Sequence, residues 1–516
     1  MEPSGDYLLG AMVRTLRQWG PPAVVVLGVA GALALAFGAV ALVNYDTLYG
    51  LLWGRAVFEG SDPDLTASLA PTQHPLLTAA GVVLAPLGAA TPPRYTALQE
   101  TVVVGGAYLC LGLVAWLVFA LGRRWFGVGA GLVAAAIVVT REPILSYGLR
   151  AYVDLPFVAL VLGALLVETR RPRAGGPVLG LLALAGLLRP EAWLFAALYL
   201  AWLWWSVWRE TAAQRAAPAG PPAAGPSTRP RRWALLLALT AAGPVLWALS
   251  DLLLAGNALG SLTGTRAGAA ELGRLTGLAN VPLGTARRLG EILREPFVLA
   301  AAGGGVLALW RLRTRGSLLG AAAGAAGLLA FAVLAAAGLS ILTRYLLFPA
   351  TILALFAGAG LLGWRRLARE DPWRRPWMAF AAVVLGVFAA LVPSQLDRLG
   401  NLRAALLDQE AIVADLEALV RPRGEAAIPP ACAPLAVPNR RPVPYLALWT
   451  GAPAGSFVNA QERGVPYEGV YLRPASRAVA EDFILDRGDL DRSVPPPAPG
   501  MERRAQNAAW AVWGAC

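Results

Sequence analysis

Eleven apolar runs, with arginine clusters in many of the segments between them, leave this chain few ways to fold. They occupy residues 21–43, 99–121, 127–140, 152–167, 176–188, 192–208, 233–255, 297–310, 317–342, 345–363 and 377–392. Crossing the hydrocarbon core takes about 20 apolar residues, fewer where a helix is sheltered by protein. In lipid only a helix satisfies the backbone of a single segment by itself. The pattern predicts a polytopic α-helical membrane protein with about 11 transmembrane helices over residues 21–392, after a short N-terminal segment, residues 1–20. Hydrophobic residues make up 57% of the 516 and charged ones 15%, which excludes an ordinary soluble protein. The N-terminal run has no small-residue cleavage site after it, so it reads as a retained helix.

The net charge of +12 does not point to nucleic acid. The basic residues are all arginine, and they cluster between apolar runs instead of forming a basic and aromatic surface. Their distribution orients the chain. Arg14, Arg17, Arg123, Arg124, Arg170, Arg171, Arg173, the tract 209–232, Arg311, Arg313, Arg315 and the tract 365–375 share the cytoplasmic face only if the run 76–90 does not cross. That run, short and interrupted by Pro86, reads as a re-entrant or interfacial piece within a first outer loop, residues 44–98. The N-terminus is then inside and the C-terminus outside. Residues 210–232, rich in Pro, Ala and Gly, read as a flexible cytoplasmic linker.

Beyond residue 392 the chain turns polar. Residues 395–420 carry a helical stripe of leucines and valines, and 443–449 and 469–472 read as strands. Residues 393–516 are thus expected to form a small extracytoplasmic α/β domain. On that side Cys432 and Cys516 stand in an oxidising compartment, where they either pair as a disulfide or remain free. Cys110, inside an apolar run, reads as a small core residue.

With this orientation the unusual polar residues gather on the outer side. Asp46 follows the first run, and His74, the only histidine, lies in the same loop. Arg141, Glu142, Tyr147, Arg150 and Asp154 flank the fourth run; Arg189 and Glu191 tip the next hairpin. Arg266 follows the seventh run, and Arg344 and Tyr345 stand before the tenth. Acids and arginines converging at a membrane edge can hold an anion and activate a nucleophile, although each alone could anchor or cap a helix. Asp46 is the candidate general base, because a half-buried carboxylate can have its pKa raised toward neutrality. Asp154 is either a helix N-terminal charge or a second carboxylate that positions an acceptor or holds a divalent cation, Mg or Mn. Arg344 suits a phosphate clamp through its paired donors. His74 is either structural or a phosphate or metal ligand. No P-loop, dinucleotide fingerprint, Cys/His metal spacing or Ser/His/Asp arrangement is present.

These pieces, in order NYDTLYGLLWGRAVFEG, TQHPLL, LGRRWFG, LSYGLRAYVDLPF, LLRPEAW, GNALGSLTGT and LTRYLLFP, resemble the GT-C superfamily of integral-membrane glycosyltransferases over roughly residues 20–365. The likeness is to the bacterial branch of lipid A aminoarabinose transferases, protein mannosyltransferases and cell-wall mannosyl- and arabinosyltransferases. The resemblance implies transfer of one sugar from a polyprenyl-phosphate donor to a glycan, lipid or protein acceptor at the outer face of a bacterial plasma membrane. It makes Asp46 the general base, Asp154 the second acid and Arg344 a partner of the donor phosphate; Tyr345, His74, Arg150, Arg189, Glu191 and Arg266 are expected to bind substrate because they gather on the same outer side. Where the family's first loop often carries an Asp-Glu pair, Thr47 follows Asp46. A transporter or flippase of lipid-linked saccharide, or a non-catalytic envelope scaffold, are the alternatives; a transporter would place its polar residues at mid-membrane and show repeats.

Overall fold

The structure is a computed structural model that describes residues 5–65, 67–88, 97–216, 229–420, 432–485 and 492–515. Residues 217–228 of the expected linker and Cys516 lie outside the described residues. The first half comprises α1 (Gly5–Phe37), α2 (Tyr45–Phe58), α3 (Pro75–Leu84), α4 (Ala97–Phe126), α5 (Val128–Val138), α6 (Glu142–Leu149), α7 (Asp154–Arg170), α8 (Gly176–Gly186) and α9 (Glu191–Ala216). The second comprises α10 (Arg229–Ala255), α11 (Gly260–Glu271), α12 (Val281–Leu293), α13 (Glu295–Leu307), α14 (Arg315–Ala336), α15 (Leu347–Leu362) and α16 (Arg374–Val420).

Every one of the eleven apolar runs is helical. Among the described residues, seven helices are long and apolar enough to cross a membrane, or eight if α5 and α6, bent by 64° at Thr140 and Arg141, make one span. The expected count of about 11 is not reached on this criterion for physical reasons. The α8 helix has 11 residues, about 16 Å of rise against a hydrocarbon core of about 30 Å; α7 is itself one turn short, and α9 spends much of its length on tryptophan. The run after His74 forms α3 and a short 3-10 turn, too short to cross alone, and lies against α2.

At the centre stands α15, buried along nearly its whole length and packed on α5, α13, α14 and α16. Its approach to α13 depends on glycine: a Cβ on Gly360 would collide with the Ala300 carbonyl, and one on Gly304 with the Phe356 carbonyl. Small residues that let backbones touch are what holds helices together where lipid offers no hydrophobic gradient. The chain enters this central helix through Arg344 and Tyr345, in the 3-10 turn Thr343–Leu346.

The expected span 377–392 and the expected helix 395–420 are one continuous helix, α16, running through Pro393. Beyond it lie β1 (Leu435–Val437), α17 (Val443–Thr450), β2 (Val458–Asn459), β3 (Gly469–Pro474), β4 (Glu502–Gln506) and β5 (Trp510–Ala515). The sheet order is β2-β1-β3-β5-β4, with β1 parallel to β2 and β3, and β5 antiparallel to β3 and β4. The strand expected at 469–472 is β3. The one expected at 443–449 is instead α17. Its residues from Val443 to Trp449 are all buried and Pro444 sits in its first turn, and an apolar run buried on every side carries no periodicity to tell helix from strand. Cys432 is disulfide-bonded, and Cys110 is the free cysteine among the described residues.

The sheet domain is fastened to the membrane helices by α2 and α16. The Tyr445 hydroxyl donates to the Val43 carbonyl at 2.7 Å, and Trp449 Nε1 to Glu100 Oε1 at 3.0 Å. Arg55, buried on α2, donates to the Leu448 and Ala447 carbonyls at 3.0 and 3.2 Å, closing the end of α17. Arg55→Met keeps the apolar stem and leaves those carbonyls without that donor, a cost of about 1–3 kcal/mol. We expect limited proteolysis to release the sheet domain faster from this variant; an unchanged cleavage rate would show that the clamp does not hold the domain.

Candidate active site

The start of α2 is built by Asn44. Its Oδ1 accepts from Asp46 N at 2.8 Å and Thr47 N at 3.4 Å, capping the helix. The same side chain donates through Nδ2 to the Ala151 carbonyl at 2.9 Å, which Thr47 Oγ1 also reaches at 2.7 Å. Ala151 has a φ of 55°, a left-handed conformation that a residue with a Cβ adopts only when its surroundings hold it there. The loop after α1 is thus pinned to the turn between α6 and α7, which sets Asp46 beside the segment carrying Tyr152 and Asp154.

Asp46 Oδ2 accepts from Arg344 Nη1 at 2.7 Å. A second, fully buried group lies alongside. Arg189 pairs with Asp154 and, through Nε, with Glu191 Oε1 at 3.0 Å. The Tyr345 ring joins the two: the Arg189 guanidinium is 4.5 Å from its centroid and that of Arg344 5.8 Å. Four elements remote in sequence, the α2 start, the α7 start, the α8–α9 hairpin and the entry to α15, therefore deliver two acid–arginine pairs to one end of the bundle. Asp154 Oδ2, Glu191 Oε2 and Arg344 Nε are buried without a hydrogen-bond partner among the described residues. Buried polar atoms in proteins are mostly paired, with protein groups or with ordered water.

The electrostatics correct one expectation. Burial pushes the Asp46 carboxyl up, but Arg344, then His74 and Arg189, outweigh it and hold it below the usual carboxylate range. Neutrality is therefore not where Asp46 titrates while Arg344 is bound to it. His74 precedes α3, edge-on to Trp247 at 5.8 Å, with Nδ1 buried and unpartnered among the described residues. Burial pulls its pKa down to about 4, against the attraction of Asp46. A neutral imidazole offers a phosphate one N–H donor and no charge. An unfolded chain titrating near 6.5 binds this proton between about pH 4 and 6.5 while the folded one does not, so stability rises with pH through that window and levels off above it. His74→Gln should flatten that segment; thermal unfolding in detergent at pH 5 and pH 7 reads it, and an equal pH 5 loss in both proteins would reject it.

Two expected site residues face elsewhere. Arg150 donates from Nε to Gln409 Oε1 at 3.0 Å, binding the α6 end to α16. Arg266 Nε bonds the Ala337 carbonyl at an exposed position on α11, bracing the α14 end. The donor set also tests a metal. Asp46 and Asp154 are each taken up by a different arginine, and among the described residues no group of three His, Cys, Asp or Glu side chains could hold an ion. This arrangement does not fit a divalent cation. Sequence reading missed the Asn44–Ala151 clamp and Tyr152, which lies close enough to Asp46 and Arg344 to feel both charges. An Asn directly before an apolar helical run was a usable cap signal; Ala151 offered none.

No family model matches the sequence, and no curated protein matches it significantly. The fold matches that of ArnT from Cupriavidus metallidurans bound to undecaprenyl phosphate, over 95% of this chain and 97% of that one, with a TM-score of 0.54 at 14% identity. AglB, the archaeal oligosaccharyltransferase from Archaeoglobus fulgidus, in complex with an inhibitory peptide and a dolichol-phosphate, aligns over 86% of this chain and 65% of its own, with a TM-score of 0.46 at 12% identity. The chain thus shares the fold of ArnT.

Proposed function

We propose that this protein moves one sugar from a polyprenyl-phosphate donor to a cell-envelope acceptor, a glycan, lipid or protein, with Asp46 as general base. The observation that carries the reading is the Asp46–Arg344 pair at the same end of the bundle as the buried Arg189–Asp154–Glu191 group. In the transfer, Asp46 takes the proton of an acceptor hydroxyl and the acceptor oxygen bonds to the anomeric carbon. The bond from that carbon to the phosphate oxygen breaks, its electron pair leaves on the lipid phosphate, and Arg344 meets the developing charge. The unfilled oxygens of Asp154 and Glu191 suit sugar or acceptor hydroxyls, which are donors. ArnT, whose fold is shared, was solved with undecaprenyl phosphate, and a lipid of that kind is the donor carrier we assign here. A saccharide carrier would want its charges at mid-membrane, whereas these residues stand at helix ends. The active end and the sheet domain face the outside of a bacterial plasma membrane on this reading, as the arginine distribution favours.

The test is a transfer assay with purified protein and a panel of polyprenyl-phosphate sugars against envelope acceptors. Sugar transfer with release of polyprenyl phosphate is expected for one donor. Binding of donors with no turnover on any acceptor, together with movement of the lipid across vesicles, would replace the enzyme with a carrier.

A further inference from the structure

A base and a phosphate clamp must be free to act, yet Asp46 and Arg344 are bonded to each other at 2.7 Å. In that bond Asp46 has one oxygen engaged and a cation beside it that lowers its affinity for a proton, and Arg344 has one of its arms engaged away from a phosphate. Resting on the proposed function, we infer that the Asp46–Arg344 ion pair is a lock opened by the lipid phosphate, so that the donor must bind before the acceptor.

The surroundings favour exchange over simple addition. Arg344 Nε is buried and has no partner among the described residues, so an N–H is ready beside the bond that must break. A phosphate accepts two such donors in parallel and outcompetes a single carboxylate contact. Tyr345 stacks under the guanidinium and can support it as it turns from one anion to the other. Asn44 and the Ala151 carbonyl hold the Asp46 backbone in place meanwhile, so release frees the carboxylate without moving it. Once free, Asp46 loses the strongest influence holding its pKa down, and burial then pushes it up against the weaker pull of His74 and Arg189. The donor's arrival would therefore produce the competent base, and an acceptor would meet an active carboxylate only with a sugar already in place. Hydrolysis-prone or unproductive acceptor binding is avoided by the same device.

The test is a double-mutant cycle on equilibrium binding of polyprenyl phosphate in detergent micelles, using wild type, Asp46→Asn, Arg344→Ala and the double variant. If the two side chains compete as described, Asp46→Asn, although it removes the base, binds the lipid about tenfold more tightly than wild type. In the Arg344→Ala background the same change gives less than about twofold. An equal gain in both backgrounds means only general charge repulsion, and no gain means no lock; either result overturns the inference. If Arg344→Ala does not fold, Asp154→Asn, which removes the same charge from the Arg189 pair, is the comparison. The lock then requires the Asp46→Asn gain to exceed it by at least about fivefold, and equal gains overturn it. Failure of wild type and all variants to bind the lipid would overturn the proposed function as well, which separates the two failures.

Discussion

Asp46→Asn should remove sugar transfer, lowering kcat by about 10²–10⁴, the range that a positioned general base contributes. The substitution is nearly isosteric, so Asn44 still caps α2. Loss of turnover with an unchanged unfolding temperature would place the effect in the proton transfer. A variant that transfers at the wild-type rate would show that another group takes the proton, and the Tyr152 hydroxyl would be examined next.

Arg189→Met is expected to be the most damaging single change for stability. The guanidinium is buried between Asp154 and Glu191, themselves buried, and its removal strands two carboxylates together out of water. Breaking a buried pair in this way costs about 3–5 kcal/mol, more than any surface ion pair here, such as Arg477 with Glu481, would cost. Thermal unfolding in detergent should show a large drop for Arg189→Met and a partial recovery when Asp154→Asn is added, because one stranded charge is then gone. An additive double variant would mean that the two side chains do not interact energetically.

The fold was legible to the extent that lipid dictates it. Each apolar run became a helix, and polar residues at the run ends, Asp46, Asp154, Arg189, Glu191, Arg344 and Tyr345, are local signals that needed no tertiary knowledge. Their pairing did not have that advantage. Arg344 and Asp46 are 298 residues apart, and nothing in either neighbourhood names the other. That partnership also reversed the expected direction of the Asp46 pKa, since burial alone would have raised it. The Arg150 bond was hidden for a similar reason: its partner Gln409 belongs to α16, whose continuity past Pro393 is invisible in a hydropathy profile. The 443–449 segment was misread because complete burial erases the alternation that distinguishes a strand.

The unbroken α16 has a mechanical consequence. Its 47 residues make a rod of about 70 Å whose first half packs on α13 and α15 and whose second half carries the sheet domain through Ile412, Asp415 and Trp510. Along the way it receives Arg150 at Gln409, Ala41 N at Glu410, and returns Arg403 to the Ala36 carbonyl. The sheet domain is therefore not a pendant on a tether but the far arm of a lever whose fulcrum lies beside the α1–α2 loop. A load placed on that arm, such as a long polymer docking on the sheet, would be felt as torque on the loop that carries Asp46. The two halves of this protein cannot be cut apart near Pro393 and studied separately, because each would lose the surface against which the other is aligned.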